Sequence, residues 1–176
     1  MLYALIVINV IVYYLMLYGK VDYHKIGMSY DTVFRQKQFY RIFTAAFTHA
    51  SVMHLALNML ALYNVGRLVI AYFGTIGFLI IYFGSMIAGH LLSLYIHHDN
   101  GEDTILSMGA SGPICGLIAA YMVLVVFRYG FAAAMTNMAT TLLSLLIISF
   151  MPRVDGTTHI CCFAFGMAIA YIMMII

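Results

Sequence analysis

Residues 75–96, TIGFLIIYFGSMIAGHLLSLYI, contain no Asp, Glu, Lys or Arg. A helix of this length rises about 33 Å, enough to cross the hydrocarbon core of a bilayer. Inside that core the backbone N–H and C=O groups must bond within the segment itself, and an α-helix satisfies this condition. We therefore interpret residues 75–96 as a membrane-spanning helix, and we expect the rest of the chain to supply similar helices around it.

The composition of the whole chain is typical of a membrane protein. Of its 176 residues, 65% are hydrophobic and only 8% are charged, whereas a soluble domain carries about 25% charged residues. The net charge of +2, without a basic run, gives no support to a nucleic-acid partner. No linker or low-complexity tract divides the sequence, so we expect one domain, residues 1–176. The predicted class is an all-α membrane protein with six transmembrane helices, at residues 2–19, 49–65, 75–96, 110–127, 131–150 and 157–176.

The charged residues outside these spans leave the orientation open. With six spans, both termini lie on one side, where the only basic residues are Arg67 and Arg128. The opposite side has more basic residues, which favours a cytoplasmic position for the loop after the first span. All six acidic residues lie on that same side, however, which weakens the inference. The basic residues of that side are Lys20, Lys25, Arg35, Lys37, Arg41 and Arg153.

Small residues recur at every fourth position in three of the predicted spans. This spacing allows helix backbones to approach closely where no hydrophobic effect drives their association. Close approach of the 110–127 and 157–176 helices would bring Ser111 near His159. The three series are Ser85, Gly89 and Ser93; Gly112, Gly116 and Ala120; and Cys162, Gly166 and Ala170.

Four polar side chains in these apolar segments are of the types that a serine hydrolase uses. Ser111 begins a predicted helix, and Pro113 suits the first turn of that helix. Unpaired N–H groups and the helix dipole at this position favour an oxyanion. His54 and Asn58 lie one turn apart on one helical face, where both can donate to the same oxygen. His159 is the candidate general base, and no predicted span contains an Asp or Glu to complete a triad, so we predict a Ser–His dyad.

Other polar residues receive structural interpretations. We expect His49 to cap or brace the start of its helix, and His90 to bond between helices. His97 and His98 are interpreted as part of a solvated loop rather than as metal ligands. Asp155 precedes the last predicted helix and is expected to cap it.

Several other interpretations of the polar residues stay open. A serine in a membrane helix usually bonds its own backbone or packs against a neighbouring helix. A small transporter with intramembrane histidines as a proton path is another possibility, and in it Ser111 would be dispensable. The His49–His54–Asn58 spacing lacks the glutamate of a zinc-hydrolase helix, so a metal site is only weakly supported. The three cysteines lie in predicted spans, where disulfides are not expected.

The sequence resembles the rhomboid family of intramembrane serine proteases, in its minimal six-span bacterial form. Tyr40-Arg41 is similar to the family's Trp-Arg pair in the first loop. Residues 49–58, HASVMHLALN, match its second-span motif, and residues 109–112, GASG, match its nucleophile motif. Residues 155–159, DGTTH, followed by Gly166, resemble the motif around the catalytic histidine. The four matches occur in the family's order and cover nearly the whole chain.

The resemblance implies a role for each of these residues. Ser111 would be the nucleophile and His159 its base, with His54, Asn58 and the Ser111 N–H as the oxyanion hole. The substrates would be transmembrane proteins in the lipid bilayer, and the family uses no metal or other cofactor. The expected supporting residues are Arg41, His49, Gly109, Gly112, Gly116, Asp155 and Gly166.

The resemblance also implies a topology, and the sequence departs from the family at three places. Both termini would be cytoplasmic, the active site would open to the extracellular side of the cell membrane, and the first loop would be partly membrane-embedded. Cys115 stands where the family often has an aromatic residue, Cys161-Cys162 replaces a glycine pair, and Ile70 replaces a glutamate. We expect the cysteines to reshape the pocket and loosen the contact between the helices of Ser111 and His159. An inactive rhomboid-like protein that binds membrane helices without cutting them is therefore the main alternative.

Overall fold

A computed structural model describes residues 1–149 and 154–176 of the chain. The described residues confirm the prediction of an all-α chain, since they form helices and one isolated bridge between Met28 and Ser107. The α-helices are α1 Leu2–Leu17, α2 Tyr23–Ile26, α3 Arg41–Thr44, α4 Val52–Asp99, α5 Ser111–Tyr129, α6 Phe131–Ser149 and α7 Gly156–Ile175. A π-helical turn, Asp31–Arg35, and a 3₁₀ turn, Ala45–Phe47, lie on either side of α3. Part of the predicted Pro152–Gly156 turn, with Phe150 and Arg153, falls outside the described residues.

Helix α4 contains two predicted spans joined by a sharp reversal. Gly74 has a φ of 69° and a ψ of 177°, which are not helical values. A β-carbon added at Gly66 would lie 3.3 Å from the Phe78 ring, although these residues would be about 18 Å apart along a straight helix. The chain therefore turns back at Gly74, where the backbone adopts a positive φ that glycine tolerates without strain. The reversal places residues 52–73 and 75–99 side by side.

Three of the described helices, α4, α5 and α7, are long and apolar enough to cross a membrane. Helix α1 and residues Phe131–Leu145 of α6 are apolar but shorter. Because α4 folds back on itself, it supplies two of the six predicted spans. The count of six crossings stays a prediction.

Helices α4, α5 and α7 pack against one another, and the small residues of α5 make this possible. A β-carbon added at Gly166 would collide with the backbone of Gly116, and one at Gly116 would collide with Ser85. The backbones of α5 and α7 are thus in direct contact, as the four-residue spacing predicts. Cys162 fills the space between Gly89 and Gly112, because added β-carbons at both glycines would meet its Sγ. Cys162 therefore packs tightly inside this contact, and the expectation that the cysteines loosen it stays a prediction.

Arg41 organises the segment between α1 and α4. Its guanidinium group is almost fully buried, with 5% of the residue exposed. It donates to the carbonyl oxygens of His24 at 2.7 Å and Gly27 at 2.6 Å, and also to the side chain of Gln38. Thr44 donates to the Ile26 carbonyl at 2.7 Å. These bonds fold the segment into a compact unit beside α4.

Candidate active site

The side chains of Ser111 and His159 meet although they lie 48 positions apart in the sequence. The Ser111 Oγ lies 2.8 Å from the Nε2 atom of His159. Ser111 is the first residue of α5, and His159 lies in the first turn of α7. When Nε2 carries no proton, the serine hydroxyl donates to it, which is the arrangement that makes a serine nucleophilic. The close packing of α5 against α7 therefore brings the predicted pair within hydrogen-bonding distance.

His54 and Asn58 lie against the backbone that precedes Ser111. A β-carbon added at Gly109 would be 2.8 Å from His54 Cε1 and 3.6 Å from Asn58 Nδ2. Gly109 has a φ of +113°, a conformation that other residues rarely adopt. The Asn58 Nδ2 is buried and has no hydrogen-bond partner among the described residues. A buried donor normally has an acceptor. The unpaired Nδ2 of Asn58, close to the candidate nucleophile, is therefore available to donate to an oxygen atom of a ligand.

A cavity of about 1000 Å³ connects these groups. It lies between α4, α5, α7 and the segment that joins α4 to α5. Ser111 is also the first residue of its helix, so its own N–H has no intrahelical acceptor. The cavity is lined by His54, Asn58, Ser111 and His159, and also by apolar residues that include Met28 and Leu106.

Asp155 is the N-cap of α7 and joins that helix to the segment before α5. One carboxylate oxygen accepts from the Thr158 N–H at 3.0 Å, and the other accepts from the hydroxyls of Thr158 and Ser107. Burial disfavours the charged form of Asp155, but the hydrogen bonds from His97, Ser107 and Thr158 outweigh it and hold the pKa below its ordinary value.

The structure corrects two of the structural interpretations. His97 is not in a solvated loop: it belongs to the last turn of α4, is 5% exposed, and lies between Asp155 and Glu102. His49 does not cap α4, because Ser51 is the N-cap and accepts from the His54 N–H at 3.1 Å. The buried His49 ring instead lies edge-on to the His54 ring, 5.0 Å away. It thus supports His54 from the side, as the bracing interpretation predicts.

Two further histidines serve the surrounding structure. His90 Nδ1 lies 2.8 Å from the carbonyl oxygen of Ile42, so it links α4 to α3. His98 is exposed, stacks on Tyr30 with 4.0 Å between ring centres, and bonds Asp103 at 2.8 Å.

Sequence reasoning missed the polar cluster next to the dyad, which consists of His97, Glu102, Ser107, Asp155 and Thr158. Asp155 followed three residues later by Thr158 is a readable capping pattern. The other members lie together in residues 97–107, but at least 48 positions before Asp155, so no local spacing indicates that they meet it.

Comparison with known proteins places this chain in a family. Residues 36–176 match a family model described as the rhomboid domain. The chain is 31% identical over 150 residues to Rhomboid-like protease 3 of Toxoplasma gondii, covering 82% of this chain and 55% of that protein. It is 28% identical over 154 residues to RHOMBOID-like protein 1 of Arabidopsis thaliana, covering 85% of this chain and 38% of that protein. It is 27% identical over 139 residues to Rhomboid protease GluP of Bacillus subtilis, covering 76% of this chain and 26% of that protein. The chain thus matches about half or less of the length of these relatives.

Proposed function

Because this chain belongs to the rhomboid family, we propose that it is an intramembrane serine endopeptidase that cuts transmembrane proteins in or near their membrane segments. The observation that carries the proposal is the 2.8 Å contact between Ser111 Oγ and His159 Nε2. Two relatives with similar sequences are named as proteases, which supports the same activity.

In the proposed mechanism Ser111 attacks the carbonyl carbon of the scissile peptide bond while His159 takes the hydroxyl proton. The carbonyl oxygen becomes an oxyanion and accepts from Asn58, His54 and the Ser111 N–H. His159 then gives the proton to the leaving amine as the C–N bond breaks. Water attacks the acyl-enzyme, loses a proton to His159, and the serine is regenerated when that proton returns to it.

The proposed substrates are membrane helices, which hide their carbonyl groups in hydrogen bonds. A substrate must unwind around the scissile bond, so we expect residues of low helix propensity near the cut. We place residues 1–176 in one domain with six crossings and a first loop partly in the membrane. The proposed site of action is the cell membrane, with both termini cytoplasmic and the cavity open to the extracellular side.

Labelling with a fluorophosphonate tests the assignment without knowledge of a substrate. Detergent-solubilised wild-type protein is expected to be labelled at Ser111, and Ser111→Ala and His159→Ala are expected to lose labelling. Ser144→Ala, on an exposed part of α6, is the matched control and should label normally. Equal labelling of Ser111→Ala and wild type would refute the nucleophile, and absence of both labelling and cleavage in folded wild type would favour the inactive binding protein.

A further inference from the structure

The ring of His97 is held between two carboxylates at the edge of the cavity. Its Nδ1 lies 2.8 Å from Glu102 and its Nε2 lies 3.0 Å from Asp155. An ionised carboxylate only accepts hydrogen bonds, so both ring nitrogens must carry a proton to satisfy both contacts. His97 in this arrangement is an imidazolium cation whose two N–H groups point at two anions. Hydrogen bonds of this charged kind are about twice as strong as neutral ones.

Asp155 connects His97 to both members of the dyad. Through its bonds to Thr158, the carboxylate fixes the first turn of α7, which also carries His159. Through its bond from Ser107, it holds the segment that leads into Ser111. Backbone bonds between Met28 and Ser107, of 3.1 and 2.8 Å, attach that segment to the unit before α4. One carboxylate therefore ties together the two chain segments that deliver the nucleophile and the base.

We propose that His97 is a positioning residue for the dyad, acting through Asp155 to hold His159 and Ser111 in their reactive geometry. This inference rests on the proposed function and adds a residue to it. His97 lies at the end of the second arm of α4, residues 75–99, so it anchors the Asp155 carboxylate to the arm that packs beside residues 52–73, which carry His54 and Asn58. A displacement of about 1 Å between catalytic groups costs up to about 100-fold in rate.

The test compares His97→Gln with His98→Gln, its exposed neighbour, as the matched control. We expect His97→Gln to slow fluorophosphonate labelling of Ser111 by about 10- to 100-fold and to lower kcat equally on a model transmembrane substrate. KM is expected to stay near the wild-type value, because the inference gives His97 a role in holding the dyad and none in binding the substrate. His98→Gln should label and cleave at the wild-type rate, since the exposed His98 ring hydrogen-bonds only Asp103 among the described side chains and stacks on Tyr30.

A second variant keeps the inference testable if His97→Gln does not fold. Asp155→Asn retains a capping side chain, because Asn and Asp cap helices about equally well, but it removes the charge that His97 binds. It should slow labelling in the same range. The double variant should be no slower than the slower single variant, because two members of one network are not additive.

Three outcomes separate the possible failures. If labelling per folded molecule is unchanged while the melting temperature falls, His97 is merely structural and the inference is overturned. A rise in the KM of His97→Gln with kcat unchanged would overturn the inference as well. If folded wild type neither labels nor cleaves, the proposed function itself fails, and the inference fails with it.

Discussion

The ring of His54 lies directly against the backbone of Gly109, so that no side chain fits between them. An added β-carbon at Gly109 would be 2.8 Å from His54 Cε1 and 2.9 Å from Nε2. Gly109 thus sets the distance between one proposed oxyanion donor and the start of α5.

Gly109→Ala is therefore expected to push His54 away from the oxyanion position. It also forces an L-residue into a φ of +113°, which costs about 1–3 kcal/mol of stability. Loss of one oxyanion donor lowers kcat by about 100- to 1000-fold in a serine protease, and we expect an effect of about this size if the proposed function holds. The measurement is kcat per labelled active site, with the melting temperature recorded alongside it.

Gly101→Ala is the matched control for the backbone strain. Gly101 also has a positive φ, of 76°, but an added β-carbon meets nothing within 4 Å. Gly101→Ala should lose about 1–2 kcal/mol of stability and keep its activity. Equal activity losses in the two variants would show that strain alone, and not the contact with His54, explains the effect at Gly109.

Asn58→Ala is expected to separate activity from stability. The Asn58 Nδ2 has no partner among the described residues, so its removal breaks no bond to that atom in the resting protein. In the proposed transition state it donates to the oxyanion, and its loss should reduce kcat by about 100-fold or more while the melting temperature stays near wild type. Asn137→Ala on exposed α6, where Nδ2 bonds the Ala133 carbonyl, should keep full activity. A large fall in the melting temperature of Asn58→Ala with kcat unchanged would argue for a purely structural asparagine.

The meeting of Ser111 with His159 follows from features that are visible in the sequence. Small residues at four-residue intervals predict that two helices touch, and the dyad lies at the starts of those same helices. Direct contact of Gly116 with Gly166 explains why the prediction works. A contact between two helices that depends on small residues at regular spacing can thus be predicted from a single sequence.

The surroundings of His97 and Arg41 were not predictable in this way. His97 precedes a run of polar residues that is typical of a solvated loop, but it lies in the last turn of α4 and is buried against Asp155, a partner 58 positions away. Arg41 donates to the carbonyl oxygens of His24 and Gly27. Every residue has a backbone carbonyl group, so the sequence does not indicate which of them Arg41 binds. Contacts with remote residues or with backbone groups can therefore be identified only from the structure.

The contact of Gly166 with Gly116 predicts that even one methyl group is not tolerated there. In Gly166→Ala the new carbon would meet backbone atoms of Gly116, which cannot rotate away. Such overpacking costs about 1–3 kcal/mol, and it would separate the helices that carry Ser111 and His159. We expect a lower melting temperature together with a loss of labelling of about 10-fold or more. At Gly84, an added β-carbon would meet only the tip of the flexible Ile169 side chain, at 2.9 Å, so Gly84→Ala should label normally. Normal labelling of Gly166→Ala would show that the dyad does not depend on this contact.

The carboxylate of Asp155 makes the stability of the protein sensitive to acid. Its pKa is lower in the folded protein than in the unfolded chain, so its bonds to His97, Ser107 and Thr158 stabilise the fold at a pH above the unfolded value of about 4. This stabilisation is lost as the pH falls from about 4 towards the lower folded pKa, because the carboxylate then takes up a proton. The melting temperature of wild type should therefore exceed that of Asp155→Asn at pH 6, and the difference should shrink as the pH is lowered below about 4. Asp31→Asn, which removes one carboxylate from a partly exposed pair with Arg35, is the control, and its difference from wild type should be small at pH 6. A difference between wild type and Asp155→Asn that does not change over this range would mean that the charge of Asp155 does not stabilise the start of α7.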